Sequence, residues 1–169
     1  MWPTTSVRDS YLEGERVVAL AGSTSATWLD LAASDFDAYV DQQRGVQFGW
    51  GVPITRFWYV AGTTYIGTLV IRHWLTPELA RVGGHVGYHV VAPWRRQGHA
   101  TRMLAQGITE CGQIGLERIL LTCAPGNDAS KRVIIANGGV HDGNTDGEER
   151  YWITIPNAVT GPGGPDGSA

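Results

Sequence analysis

The sequence is short of cysteine, of lysine and of long apolar runs, and each shortage excludes something. Its 169 residues include two cysteines, Cys111 and Cys123. Two are too few for a disulfide framework, and their spacing is not that of a CxxC metal site. Lys131 is the only lysine beside twelve arginines, and the net charge of -3 argues against non-specific binding to nucleic acid. No apolar run approaches the roughly 20 residues of a membrane-spanning helix. The opening MWPTTSVRDSYLEGE has neither a basic flank nor an apolar segment, so no secretory leader is expected. These shortages point to a soluble cytoplasmic chain with no membrane or nucleic-acid partner. No metal is expected, because no two histidines sit with carboxylates at ligand spacing. A weakly acidic surface, with a pI near 5.9, suits a cationic substrate.

What is present is an ordinary globular composition, with 43% hydrophobic residues and no internal repeat. The length favours one domain, residues 1–155. The tail, 156–169, is rich in Gly, Pro, Ser and Asn and reads as disordered. Two helices and a hairpin are expected in the first half. Asp9 to Ala21 is one helix, broken by Gly22-Ser23-Thr24-Ser25. The second, Asp35 to Gln43, has Ser34 as its expected N-cap and acids in its first turn. Arg56–Val60 and Tyr65–His73 are β-branched and aromatic runs around the turn Ala61-Gly62-Thr63-Thr64. Thr76 to Gly84 is a loop or short helix, and His85 to Val91 a strand.

The second half alternates more clearly. Thr101 to Gly115 is a helix with Leu104, Ile108, Cys111 and Ile114 at helical spacing. Arg118 to Cys123 is a buried strand, and a helix opens at Asn127 or Asp128 and stops at Asn137-Gly138-Gly139. Val140-His141 and Tyr151–Ile155 flank a polar loop, Asp142 to Arg150.

The informative stretch is Pro93 to Leu104, PWRRQGHATRML. A strand ends, a basic glycine-bearing turn follows, and a helix begins. Such a turn aims several backbone N–H groups at one point, where the helix adds about half a positive charge. Phosphate is the expected guest, and an ordinary basic loop capping a helix is the alternative. Neither a P-loop nor a G-x-G-x-x-G fingerprint is present.

Arg95-Arg96-Gln97-Gly98-His99-Ala100 resembles the R/Q-x-x-G-x-G/A signature of the GNAT superfamily of acyl-CoA-dependent N-acetyltransferases. Val91-Ala92-Pro93 before it, and the helix, the RILLTC strand and Asn127-Asp128-Ala129-Ser130 after it, fall in that family's order. Gly83-Gly84-His85-Val86-Gly87-Tyr88 resembles one branch of bacterial predicted acetyltransferases.

The resemblance implies an α+β fold in αβα layers. Its mixed, splayed central sheet would have about six or seven strands, with helices on both faces. It implies that Arg95, Arg96, Gln97, Gly98, His99, Ala100 and Thr101 hold the pyrophosphate of acetyl-CoA, largely through backbone. Val90 and Val91 would bond the pantetheine arm, and Asn127 and Ser130 would contact it. An amine would attack the thioester directly, after losing a proton to a base. His85 stands near the position of the family's usual Glu, with Tyr88 and His89 as lesser candidates and a local structural bond as the alternative. Ile134 replaces the usual acidic Tyr, which leaves Tyr151 or Cys123 to approach, or the thiolate to leave unaided. Trp28, Trp50, Trp58, Trp74, Tyr151 and Trp152 are candidates for the acceptor pocket or for the core. The implied reaction is acetylation of a small primary amine. A non-catalytic acyl-CoA sensor and a protein lysine or N-terminal acetyltransferase are the alternatives. A homodimer is compatible with all three.

Overall fold

The computed structural model describes residues 1–21 and 27–156. The expected break at Gly22–Ser25 and the tail beyond 156 lie outside these residues. The elements run α1 (Arg8–Ala21), α2 (Thr27–Ser34), α3 (Phe36–Gln43), β1 (Val46–Gly49), β2 (Val52–Ala61), β3 (Thr64–Arg72), α4 (Pro77–Arg81) and β4 (Val86–Val90). They continue with α5 (His99–Gln113), β5 (Arg118–Cys123), α6 (Asp128–Ala136), β6 (Val140–Thr145) and β7 (Glu148–Thr154).

The seven strands among the described residues form two antiparallel sheets, ordered β1-β2-β3-β4 and β5-β7-β6. They meet where β4 begins: His85 N–H donates to Leu120 O at 2.7 Å, and Gly83 N–H to Thr122 Oγ1 at 2.9 Å. Beyond that point no described ladder joins β4 to β5, so the central sheet opens between them.

Helices cover both faces. Leu69, Ile71, Val86 and Val90 turn toward Met103, Leu104 and Cys111 of α5, in a core that also takes in Ile119, Leu121 and Ile134. On the other face Tyr11 of α1 stacks on Trp58 at 4.4 Å, within an aromatic cluster of Phe36, Tyr39 and Tyr65. Trp58 is thus core, whereas Trp50 and Trp74 are exposed and Trp152 lies under the Arg118 guanidinium.

Three local expectations are corrected. Ser34 is the last residue of α2, with its hydroxyl bonded to Leu31 O, and Asp35 caps α3 by accepting from Ala38 N–H. Helix α2 and the short edge strand β1 carried too little periodicity to be read. The polar segment Asp142–Arg150 is mostly strand, because its N–H and C=O groups pair across the β6–β7 hairpin around Asp146-Gly147.

Candidate active site

After β4, a short 3₁₀ turn (Ala92–Trp94) hands the chain to Arg95 and Arg96. Arg96 and Gly98 both take positive φ, 63° and 79°. Gly98 then serves as N-cap of α5 with no side chain to occupy the first N–H groups of that helix. Those donors are left pointing out of the fold, as an anion site requires. The loop is held from behind. Arg102 donates to Gln97 O at 2.9 Å, Gln97 donates to Pro93 O at 3.1 Å, and Asn137, the C-cap of α6, donates to Thr101 O at 3.2 Å.

In the β3–β4 ladder, Arg72 N–H bonds to His85 O and Val91 N–H to Ile66 O. Antiparallel alternation therefore turns the N–H groups of Tyr88 and Val90 to the other edge, which faces the opening. A groove of ≈ 670 Å³ follows that edge. It is lined by Tyr88, His89, Val90, Trp94, Arg95, Arg96 and Gly98, by His99, Ala100 and Thr101 of α5, and by Asn127, Ser130 and Arg132 of α6. Asn127 also caps α6, accepting from Ser130 N–H at 3.1 Å.

The structure thus brings together Val90, Arg95, Arg96, Gly98, His99, Ala100, Thr101, Asn127 and Ser130. It does not bring in Val91, whose N–H and C=O bond to Ile66 and Trp94 and whose side chain lies under Gly14. Gln97 braces the loop from outside the groove.

The catalytic candidates are placed differently. His85 is buried at the sheet junction and does not line the groove. Its Nδ1 accepts from Leu120 N–H at 2.9 Å, so its lone pair is committed to structure. Burial, with Arg72 and Arg118 nearby, lowers its pKa to about 4. Tyr151 donates its hydroxyl to Glu149 at 2.7 Å, and Glu149 also pairs with Lys131. Cys123 is buried, its thiol pushed up by burial and by Glu149. Neither Tyr151 nor Cys123 lines the groove. Tyr88 does, and its buried hydroxyl has no partner among the described residues. Burial lifts that phenol to about 12, with Ser130 acting in the opposite direction.

The His85 environment predicts acid lability. The unfolded chain takes up this proton near pH 6.5 and the fold only near 4, so stability is full above 6.5 and falls through that window. The loss approaches about 3 kcal/mol at pH 4. Denaturant titrations across this range are expected to show a shallower acid slope for His85→Asn, whose amide oxygen replaces Nδ1 without titrating. Equal slopes would remove His85 as the cause.

A family model described as an acetyltransferase (GNAT) domain matches residues 14–140, well over half the chain. The chain belongs to the GNAT acetyltransferases. GNAT enzymes take their acyl group from acetyl-CoA and use no metal. The fold is similar to RimJ of Mycobacterium smegmatis in complex with CoA-disulfide, at 19% identity and a TM-score of 0.64, over 90% of this chain and 79% of that one. It is also similar to the microcin C7 self-immunity acetyltransferase MccE in complex with acetyl-CoA and AMP, at 15% identity and 0.58, over 92% and 91%. The ribosomal L7/L12 alpha-N-protein acetyltransferase RimL, in complex with coenzyme A, matches at 19% and 0.50, over 62% of this chain and 63% of its own. No curated protein sequence matches significantly. No helix among the described residues is long and apolar enough to cross a membrane.

Two of the groove's neighbours escaped the sequence. Glu15 and Tyr65 stand 74 and 50 residues from the groups they meet, His89 and Glu15. One signal was available: Glu15 lies one turn past Tyr11 and Leu12, on the apolar stripe of α1.

Proposed function

We propose that this protein transfers the acetyl group of acetyl-CoA to a primary amine of a small molecule, by direct attack in a ternary complex. The observation that carries it is the meeting of an uncapped α5 N-terminus and an open β4 edge in one groove. The residues present fit the donor. The amides of His99, Ala100 and Thr101, with Arg95 and Arg96, suit a pyrophosphate. Asn127 and Ser130, across the groove from the Val90 edge, suit the amide-bearing arm. When bound, acetyl-CoA supplies the activated acyl carbon. Val90 N–H, at the open edge, is the backbone donor available to a developing oxyanion. The Tyr88 phenol, protonated and buried beside Ser130, is the acid available to the departing sulfur, in place of the absent Tyr at Ile134.

A second reading, acetylation of a protein N-terminal amine, is favoured by the likeness to RimL and RimJ. MccE, similar over nearly the whole of both chains, favours the small molecule.

The test is thermal unfolding with acetyl-CoA, followed by thiol release with a panel of small primary amines and of short peptides with free N-termini. Acetyl-CoA at about 100 times its Kd adds about 2.7 kcal/mol, a rise of roughly 5–10 °C. No rise at millimolar acetyl-CoA would reject the site. Turnover with peptides alone would move the acceptor to protein.

A further inference from the structure

We propose that His89, oriented by the buried carboxylate of Glu15, takes the proton from the acceptor ammonium; this rests on the acetyl-transfer reading above. Three elements converge on one oxygen. Glu15 of α1 is only 3% exposed. Its Oε1 accepts the Tyr65 hydroxyl of β3 at 2.5 Å and His89 Nε2 of β4 at 2.6 Å. No arginine or lysine pairs with Glu15 among the described residues. A carboxylate kept in the interior with a phenol and an imidazole as partners is costly as a pure packing device, since apolar side chains fill such space at less expense. The arrangement acquires a purpose if the imidazole works.

The bonds fix its chemistry. Burial and the adjacent carboxylate hold Tyr65 protonated, its pKa far above the ordinary phenol range, so it donates. Nε2–H of His89 donates to the same oxygen, which leaves the lone pair on Nδ1. Nδ1 has no partner among the described residues, the side chain is 36% exposed, and His89 is one of the residues that line the groove. The next residue is Val90, whose N–H faces the opening. The proton acceptor and the oxyanion donor are therefore neighbours on one strand. His85, by contrast, has given its lone pair to Leu120 N–H.

The step balances. Nδ1 takes one proton from the acceptor R–NH₃⁺ and releases it to solvent. The freed nitrogen lone pair forms the C–N bond as the C–S bond breaks. The second nitrogen proton ends on sulfur, giving amide, free thiol and one released proton. The charged and titratable groups around the unit are Glu15 on α1, Tyr65 on β3 and Arg95 on the loop, with Tyr11, Tyr39 and Arg56 behind the carboxylate.

The experiment pairs steady-state pH profiles, using acetyl-CoA and the best acceptor of the panel, with ¹⁵N NMR titration of labelled histidine in the full chain. His89→Gln is expected to lower kcat about 100-fold or more with coenzyme A affinity unchanged by calorimetry. Glu15→Gln is expected to move the acid limb of kcat/KM to lower pH and to release the His89 tautomer. A Glu15 that merely packs would lower yield or Tm and leave both readouts in place, and that outcome overturns the proposal. An active His89→Gln overturns the proton role alone. A wild type inert on the whole panel overturns the acetyl-transfer reading and the proton role with it.

Discussion

A Gly98→Trp variant is expected to lose at least 100-fold in affinity for coenzyme A while remaining folded. Gly98 sits at φ 79° as the cap of α5, and its neighbours on the groove are His99, Ala100 and Arg96. A Cβ there meets first the Arg102 guanidinium, at 3.2 Å, the far end of a long side chain that can shift at the cost of loosening its bond to Gln97 O. The fold therefore bears mainly the left-handed backbone penalty of about 1–2 kcal/mol. The ligand bears more. An indole over the first turn of α5 blocks the N–H groups that no side chain caps. Hydrogen bonds to a charged phosphate are worth about 1.5–3 kcal/mol each. Losing two of them costs about 3–6 kcal/mol, or 100-fold to more than 10,000-fold in Kd. Calorimetry with coenzyme A measures it, with circular dichroism as the check on folding. Binding retained within tenfold would displace the pyrophosphate from this turn.

That turn was the most legible part of the molecule, for a physical reason. Anion binding by backbone needs a strand end, a left-handed residue and a helix start within a few positions, and all of it is local. Asn127 could be assigned from its neighbours in the chain and caps the helix expected there, while Gly98 caps a helix that begins two residues before the expected Thr101. The β5 strand and the α5 core positions Leu104 and Cys111 were legible because their apolar periodicity is strong. The catalytic assignment was not local. The resemblance put His85 near the position of the family's usual Glu, yet its ring is spent on Leu120, across the sheet junction. His89 and Glu15 become partners only once the fold is formed, and the place of Glu15 on the apolar stripe of α1 marks it as buried without naming its partner. Val91 misled for a similar reason: strand alternation, set by pairing with β3, decides which residues offer their backbone to the opening.

The junction where the opening begins yields the second large effect. A Gly84→Ala variant is expected to be destabilised by about 2–5 kcal/mol, lowering Tm by roughly 5–15 °C. Gly84 has φ 62°, and an added Cβ would stand 2.3 Å from Leu120 O and 2.8 Å from Leu120 C. Both atoms are backbone of a central strand. Their neighbours are tightly placed, with His85 N–H on the same carbonyl, Gly84 N–H on Leu79 O, and Arg72 donating to Gly83 O and Gly84 O. Relief therefore requires β5 to move away from β4 at the contact that joins the two sheets. Gly62 supplies the control. It has nearly the same φ, 59°, with nothing within 4 Å of an added Cβ, so Gly62→Ala bears the backbone penalty alone. The gap between the two variants' midpoints isolates the clash. If the two midpoints coincide, the junction yields freely and does not set the opening between β4 and β5. If Gly84→Ala falls well below Gly62→Ala and also binds coenzyme A more weakly, the junction both joins the sheets and shapes the groove, because Gly84 precedes β4 whereas the turn proposed for the pyrophosphate follows it.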